Sequence, residues 1–348
     1  MSALKSALIG VCATAGLAFA MAGGAMAQDA PAQDLANAAN PALGALRLTE
    51  TDGFGHSVHI LPTLEYAAAA RETVRAAGVL KYHAGGRIMP NIVIYPIFWA
   101  PLTLQNGQPA VLTAHYQSVL TQLATDYPAN AIDKNNTQYY QNIGGLKTSI
   151  AAAGSLGGTY LDTAPYPASG CTDSATPGNC ITDAQIQAEI SRVISVNGWL
   201  PAINHMFLMF TAQGEGSCFT SASTSCAYTA YCAYHGSFGG ASTPVIYGNE
   251  PYGDLANCQV SGAPSPNADP EADAAGNVAT HEVTEAITDP LLNAWFSNTG
   301  SEIGDLCSFT YGAHTLDGGK ANQDWNTHFY LVQEEYDNKK SRCVQAGP

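Results

Sequence analysis

From residue 86 to the carboxy terminus, short apolar runs alternate with segments whose apolar residues recur at helical spacing. Runs of about four to eight apolar residues are typical of buried strands, and helical spacing is typical of amphipathic helices. Thr182 is the expected N-cap of one helix, and Asp289-Pro290 is expected to end another. The pattern predicts strands at 92–99, 158–162, 205–211 and 244–247, and helices at 110–125, 183–196 and 273–288.

The first residues carry the pattern of an export signal. Lys5 supplies a positive charge, residues 7–20 form an apolar stretch, and Ala25-Met26-Ala27 matches an A-x-A cleavage site. This order is typical of a secretory signal peptide, which is removed on export. The sequence therefore predicts a signal peptide at 1–27 and a secreted or periplasmic protein.

The residues that follow the predicted cleavage site differ from the rest of the chain. Residues 28–45 are rich in Ala, Asn and Pro and show no apolar period. Residues 64–79 have the pattern of an exposed or loosely packed helix. We expect an amino-terminal extension at 28–85, either uninvolved in function or a propeptide, and a main domain at 86–348.

The cysteine count agrees with export. One of the nine cysteines, Cys12, lies in the signal peptide, and the remaining eight form an even set that is consistent with four disulfides. The favoured pairs are Cys171 with Cys180 and Cys307 with Cys343, whereas the middle four cannot be paired from the sequence. Since these cysteines form no close CxxC spacing, a cysteine-ligated zinc is not expected.

The charge balance excludes two classes of partner. With Lys5 removed, the mature chain has 12 basic and 28 acidic residues, a net charge of −16. Such a field repels nucleic acid and anionic membranes. No second apolar stretch reaches the ~20 residues of a membrane span. The sequence predicts a soluble monomer with a protein or peptide as its partner.

The strongest indication of chemistry is the run His281-Glu282-Val283-Thr284-Glu285 in the predicted helix 273–288. Residues four apart share a helix face, so His281 and Glu285 can bind one divalent metal while Glu282 stays free beside it. A carboxylate in place of a second imidazole strengthens the binding of a dication. The spacing predicts a metal site with Zn²⁺ as the expected ion, although the same pattern also occurs in solvated helices.

A third ligand is expected after this helix. The run Ser301-Glu302-Ile303-Gly304-Asp305-Leu306-Cys307 supplies two carboxylates, in the place where zincin metalloproteases provide a third ligand. Asp305 is the predicted ligand, because a disulfide at Cys307 would fix its loop. Glu302 is a competing ligand or a partner of the ligands, and ordinary turn acids are the alternative for both residues.

The remaining residue of the motif, Glu282, is the predicted general base, since it can take a proton from a metal-bound water and pass it to a leaving amine. His235, in a stretch rich in Gly and Cys, is the predicted donor to the oxyanion, with Tyr234 as a second candidate and packing as the alternative. His59 is not assigned to the site, because its surroundings read as a loop near the start of the mature chain.

These features predict an α+β protein with a zincin-like mixed sheet, an active-site helix and stabilising disulfides, acting as a secreted zinc metallopeptidase. The alternative is a non-enzymatic extracellular binding or signalling protein with a structural metal or none. A structural site would be closed by a fourth protein ligand and would tolerate the loss of Glu282. A glycosidase built on two carboxylates is the least favoured alternative, because it leaves His281 unexplained.

Several short motifs between residues 80 and 345 also resemble one family. They are residues 91–99, Tyr139-Tyr140-Gln141, residues 182–186, Cys232-Ala233-Tyr234-His235-Gly236 and residues 288–307. The chain resembles the Exordium or phosphate-induced protein family of secreted plant proteins, which has bacterial relatives. The resemblance implies an extracellular location and an α/β core. Plant members lack the full HExxE and are associated with growth, so the catalytic prediction rests on this chain's own residues.

Overall fold

The protein is mixed α/β, as a computed structural model that describes residues 48–68, 78–240 and 242–347 shows. In chain order the strands are β1 (Thr49–Thr51), β2 (Ser57–Pro62), β3 (Lys81–Tyr82), β4 (Ile92–Trp99), β5 (Tyr140–Ile143), β6 (Leu146–Ser149), β7 (Gly154–Leu156), β8 (Tyr160–Asp162), β9 (Cys180–Thr182), β10 (His205–Thr211), β11 (Gly216–Cys218), β12 (Tyr231–Gly240), β13 (Thr243–Glu250), β14 (Trp295–Phe296), β15 (Gln323–Trp325), β16 (His328–Tyr330), β17 (Glu335–Asp337) and β18 (Arg342–Val344). The helices are α1 (Ala114–Asp126), α2 (Asp183–Asn197) and α3 (Pro270–Thr288).

Eight of these strands form the central sheet. Its order is β1-β2-β12-β13-β10-β4-β7, and β8 also pairs with β4. The strands from β13 to β7 and β8 run parallel, whereas β12 is antiparallel to both of its neighbours. The sheet is therefore mixed, with the antiparallel strand β12 between β2 and the parallel half. The other strands pair in twos as small sheets.

The two faces of the sheet are covered by different helices. One buried cluster joins the sheet to α1 and α3 through residues such as Ile94, Leu120 and Val283. A second cluster joins the opposite face to α2 through residues such as Phe207 and Ile190. Because side chains alternate between the faces of a strand, β4, β10 and β13 each contribute to both clusters. The helix α3 is buried from Ala272 to its end.

The helix boundaries follow from capping residues. Thr113 accepts a hydrogen bond from the Tyr116 N–H at the start of α1. Thr182 and Gln185 form a capping box at the start of α2. Asp269 caps α3 and is followed by Pro270 in the first turn. The three predicted helices and the predicted strands are confirmed with shifts at their ends, and the prediction of Thr182 as an N-cap is confirmed.

The amino-terminal part of the described chain is not separate from the main sheet. The strand β2 pairs with β12, and β1 pairs with β2. The sheet therefore takes two strands from the predicted extension, and a domain that began at residue 86 would lack them. Residues 64–68 are helical, while most of the helix predicted at 64–79, the signal peptide and residues 28–47 lie outside the described residues.

Four disulfides join the eight cysteines of the predicted mature chain. The favoured pairs Cys171–Cys180 and Cys307–Cys343 are confirmed. The four cysteines that the sequence left open pair as Cys218–Cys226 and Cys232–Cys258. Within the described residues, no helix has the length and hydropathy needed to cross a membrane.

Candidate metal centre

Two buried histidines lie side by side on the sheet, under helix α3. His59 on β2 and His235 on β12 are directly opposite each other in the antiparallel pair, with ring centroids 5.8 Å apart. Directly opposed residues point to the same face of a sheet. His59 is 2% exposed and His235 0% exposed, so both rings are enclosed by protein.

The helix α3 supplies the acidic side chains that face these two histidines. Glu285 is fixed through Oε1, which accepts hydrogen bonds from the backbone N–H groups of Gly304 and Asp305, each at 3.1 Å. Its second oxygen, Oε2, lies 3.9 Å from His59 Nε2 and 3.8 Å from His235 Nδ1. One carboxylate oxygen is thus anchored, while the other faces both histidines.

The segment after α3 closes the cluster. Asp305 Oδ2 accepts a hydrogen bond from the Glu302 N–H at 2.7 Å and lies 2.8 Å from His59 Nε2. Glu302 Oε1 lies 3.3 Å from His59 Nδ1. The disulfide Cys307–Cys343 holds the 3-10 turn Asp305–Cys307. Both carboxylates that the sequence offered as third ligand therefore reach the cluster, and both contact His59.

Several ligand atoms in this cluster are buried without a hydrogen-bond partner among the described residues. They are His235 Nε2, Glu282 Oε1, Glu285 Oε2, Glu302 Oε2 and Asp305 Oδ1. A buried polar atom that makes no hydrogen bond costs about 1–3 kcal/mol, and more when it is charged. A metal ion would satisfy carboxylate and imidazole atoms arranged in this way.

Within this cluster, two sets of three residues place their ligand atoms close enough to bind one ion. The first set is His59, Glu285 and Asp305, and the second is His235, Glu285 and Glu302, with all ligand atoms of a set within 4.8 Å of one another. Glu285 belongs to both sets. Nitrogen and oxygen ligands of this kind suit zinc and several other divalent metals, so the residues fit a metal, and zinc in particular stays a prediction.

The charges of these groups depend on one another. Although burial disfavours its charged form, Asp305 and Glu285 raise the pKa of His59 to about 9. Burial alone would raise the pKa of Asp305, but the charge and hydrogen bond of His59 lower it. Burial lowers the pKa of His235 well below its usual value, with the neighbouring His59 and His281 acting in the same direction. His235 is therefore neutral, as a metal ligand must be.

Glu282 is held by a histidine rather than by the backbone segment that anchors Glu285. Its Oε2 lies 2.9 Å from His235 Nδ1, and burial together with the Glu285 charge raises the pKa of Glu282 well above its usual value. Burial also raises the pKa of Glu250, whose two side-chain oxygens make no hydrogen bond to the described residues. Glu282 thus combines one anchored oxygen with one available oxygen.

His281 lies beside the cluster but belongs to neither set of three residues. Its Nε2 is 3.1 Å from Glu285 Oε1, and its Nδ1 is 2.9 Å from the side-chain nitrogen of Gln333. Because an amide nitrogen only donates, Nδ1 accepts in this arrangement, and the proton of the neutral ring lies on Nε2. Nε2 is also buried without a hydrogen-bond partner among the described residues, and the role of His281 as a ligand stays a prediction.

The residues predicted from the sequence therefore lie in one place, with one addition. Glu282, Glu285 and Asp305 meet beneath α3, and His235 contacts Glu282. His59 was missed. The available signal was a histidine between Val58 and Ile60 in an apolar run, which is typical of a strand with two buried faces. Tyr234 does not face the cluster, because its hydroxyl donates to Asp183 on the opposite side of the sheet.

Comparisons with known proteins gave no relationship. No family model matches the chain, and neither the curated proteins nor the solved structures that were searched contain a match. The resemblance to the Exordium family consequently stays a prediction from short motifs, and the zincin-like character of the fold is a hypothesis that rests on the site.

Proposed function

We propose that this protein is an exported metal-dependent peptidase of zincin type, with Glu282 as the general base. The observation that carries the proposal is the state of Glu282, which is 0% exposed and holds Oε1 without a hydrogen-bond partner among the described residues. A buried carboxylate is costly unless it is paired, hydrogen-bonded or bound to a metal. Its position, one helical turn before Glu285, suits a base beside a metal.

In this mechanism each residue has a distinct task. Glu285, with His59 and Asp305 or with His235 and Glu302, would hold the ion, which would polarise a carbonyl and acidify a water. Glu282 would take a proton at Oε1 from a water held beside it and return it to the leaving amine nitrogen. His235 fixes the other oxygen of Glu282, which gives this histidine a positioning role in place of the predicted donation to an oxyanion.

The raised pKa of Glu282 suits such proton transfer. A general base works best when its pKa lies near the working pH, and burial moves Glu282 upward from the usual carboxylate range. His281 supports the same geometry, because it lies against the oxygen of Glu285 that the backbone anchors. Zinc is the ion we propose, because imidazole and carboxylate ligands of this kind suit it.

Complete burial of the cluster favours a second candidate function. None of the side chains in the two sets of three residues is more than 4% exposed. A surface pocket near the start of α3, lined by residues such as Leu64, Gln259 and Pro270, shares no residue with the cluster. A closed site is typical of structural metals. The second candidate is therefore an extracellular binding or signalling protein whose ion stabilises the fold.

One comparison separates these candidates. Native protein and Glu282→Gln are loaded with zinc, matched for metal content, and incubated with an unfolded casein substrate. A peptidase predicts cleavage by the native protein and a loss of about 10²-fold or more in the variant. If both proteins keep the metal and neither cleaves, the proposal fails, and a structural ion accounts for the site.

A further inference from the structure

The two sets of ligand residues in the candidate metal centre share one residue, Glu285. We propose that the cluster binds two divalent ions bridged by the Glu285 carboxylate. One ion is held by His59 and Asp305, and the other by His235 and Glu302. This inference deepens the proposed function and rests on it only so far as the cluster is a metal centre.

The position of Glu285 carries the first part of the argument. Its free oxygen is nearly equidistant from the two histidines, at 3.9 Å from His59 Nε2 and 3.8 Å from His235 Nδ1. Two ligand atoms that each lie about 2.1 Å from one tetrahedral ion are about 3.4 Å apart. The distance to His59 Nε2 is about 0.5 Å longer than this, so a small shift would let Glu285 and His59 share one ion. Because His235 Nδ1 is occupied by Glu282 Oε2 at 2.9 Å, His235 would bind the second ion through Nε2, which has no hydrogen-bond partner among the described residues.

The two histidines belong to different sets of ligand atoms, and a different carboxylate completes each set of three. Asp305 belongs only to the set of His59 and Glu302 only to the set of His235, although Glu302 Oε1 also lies 3.3 Å from His59 Nδ1. His59 Nε2 is 2.8 Å from Asp305 Oδ2, and His235 Nε2 is 3.8 Å from Glu302 Oε2. Two ions, one for each set of ligands, fit this division.

Charge is the second part of the argument. The carboxylates of Glu282, Glu285, Glu302 and Asp305 are all buried, and together they would carry four negative charges when ionised. One divalent ion with neutral histidines leaves two of these charges uncompensated, whereas two divalent ions neutralise all four. Uncompensated buried charge is strongly unfavourable.

The test is a count of bound zinc per chain after loading with excess zinc and dialysis. We expect two ions in the native protein, one each in His59→Ala and His235→Ala, and none in Glu285→Gln. His115→Ala is the matched control, because His115 is exposed and bonds to the Asn267 carbonyl, and it should retain two. A native count of one overturns the inference, as does loss of both ions from either single histidine variant.

A second measurement covers variants that fail to fold. The native protein is loaded with Mn²⁺ and examined by electron paramagnetic resonance, where two bridged ions give a spin-coupled spectrum and isolated ions give the uncoupled signal. An uncoupled spectrum at full loading contradicts the bridge. Counting the bound zinc ions needs no peptide substrate, so it is independent of the cleavage assay. Two ions without peptide cleavage would therefore defeat the proposed function and leave this inference standing, while one ion with cleavage would do the opposite.

Discussion

His59 and His235 face each other across two antiparallel strands, although 175 residues separate them in the chain. Their register places both rings under the acidic face of α3, where Glu282 and Glu285 are one turn apart. A shift of one residue in this pairing would turn one ring to the opposite face of the sheet. The register of β2 on β12 therefore determines whether the cluster exists.

His59→Ala should weaken zinc binding by about 100-fold or more, because loss of a direct ligand costs more than the 10–100-fold that is typical of residues supporting ligands. Competition with a chromophoric chelator measures this affinity. His56→Ala is the control, since His56 lies three positions earlier in the chain, is exposed, and bonds to Asp52. Equal affinities in the two variants would remove His59 from the site.

Gly304→Ala should distort the anchor of Glu285. A methyl group at Gly304 would lie 2.5 Å from His281 Nδ1 and 3.0 Å from Glu285 Oε1, and the crowded side chains must shift. We expect a loss of about 1–3 kcal/mol in the free energy of unfolding, together with weaker zinc binding. Gly53→Ala meets only ordinary contact with Ala184 at 3.9 Å and should change neither quantity. Denaturant unfolding and chelator competition would show whether the two variants differ.

Removal of the Cys307–Cys343 disulfide should affect metal binding as well as stability. The bond closes a separation of 36 residues and is expected to contribute about 4 kcal/mol, and it also fixes the turn that carries Asp305. The double variant Cys171→Ser/Cys180→Ser removes a bond that spans 9 residues, and should lose about 2.6 kcal/mol without weaker zinc binding. If Cys307→Ser/Cys343→Ser bound zinc as tightly as Cys171→Ser/Cys180→Ser, the Cys307–Cys343 disulfide would have no role in positioning Asp305.

The buried Glu215 should make the protein less stable toward alkaline pH, whether or not a metal is bound. Burial raises its pKa from 4.5 to about 8, so the folded protein holds a proton that the unfolded chain releases. The contribution of Glu215 to the free energy of unfolding should be greatest below pH 4.5 and fall by about 3–5 kcal/mol as the pH rises through 8.

Glu215→Gln should remove this component, and Glu65→Gln, at an exposed position, should retain it. Urea unfolding across the pH range would measure both variants. A native protein with the same slope as Glu215→Gln would show that Glu215 is ionised in the folded state.

The sequence predicted the parts of the site that lie close together in the chain. The HExxE run and Asp305 could be recognised because helical spacing and a following acidic segment are local features. The helix ends were also predictable, since Thr182 and Pro290 act on their own neighbours. The pairing of Cys171 with Cys180, at a sequence separation of 9, could be predicted for the same reason.

The contribution of β2 could not be predicted in this way. Its pairing with β12 is a contact between distant segments, and no local pattern specifies which strands become neighbours. His59 interrupts an apolar run that is buried on both faces, so the alternation typical of a half-exposed strand is absent. The strand β12 ends in Gly and Ser residues, which weakened its strand signal as well. The two histidines of the cluster are brought together by these two strands.

The most direct test of the account is anomalous diffraction from crystals of the zinc-loaded protein, with data collected on both sides of the zinc absorption edge. We predict strong anomalous density about 2.0–2.2 Å from Glu285 Oε2, with His59 and His235 as neighbours of the bound metal. Anomalous density elsewhere, or none within the cluster in fully loaded protein, would contradict the claim that this cluster is a metal centre.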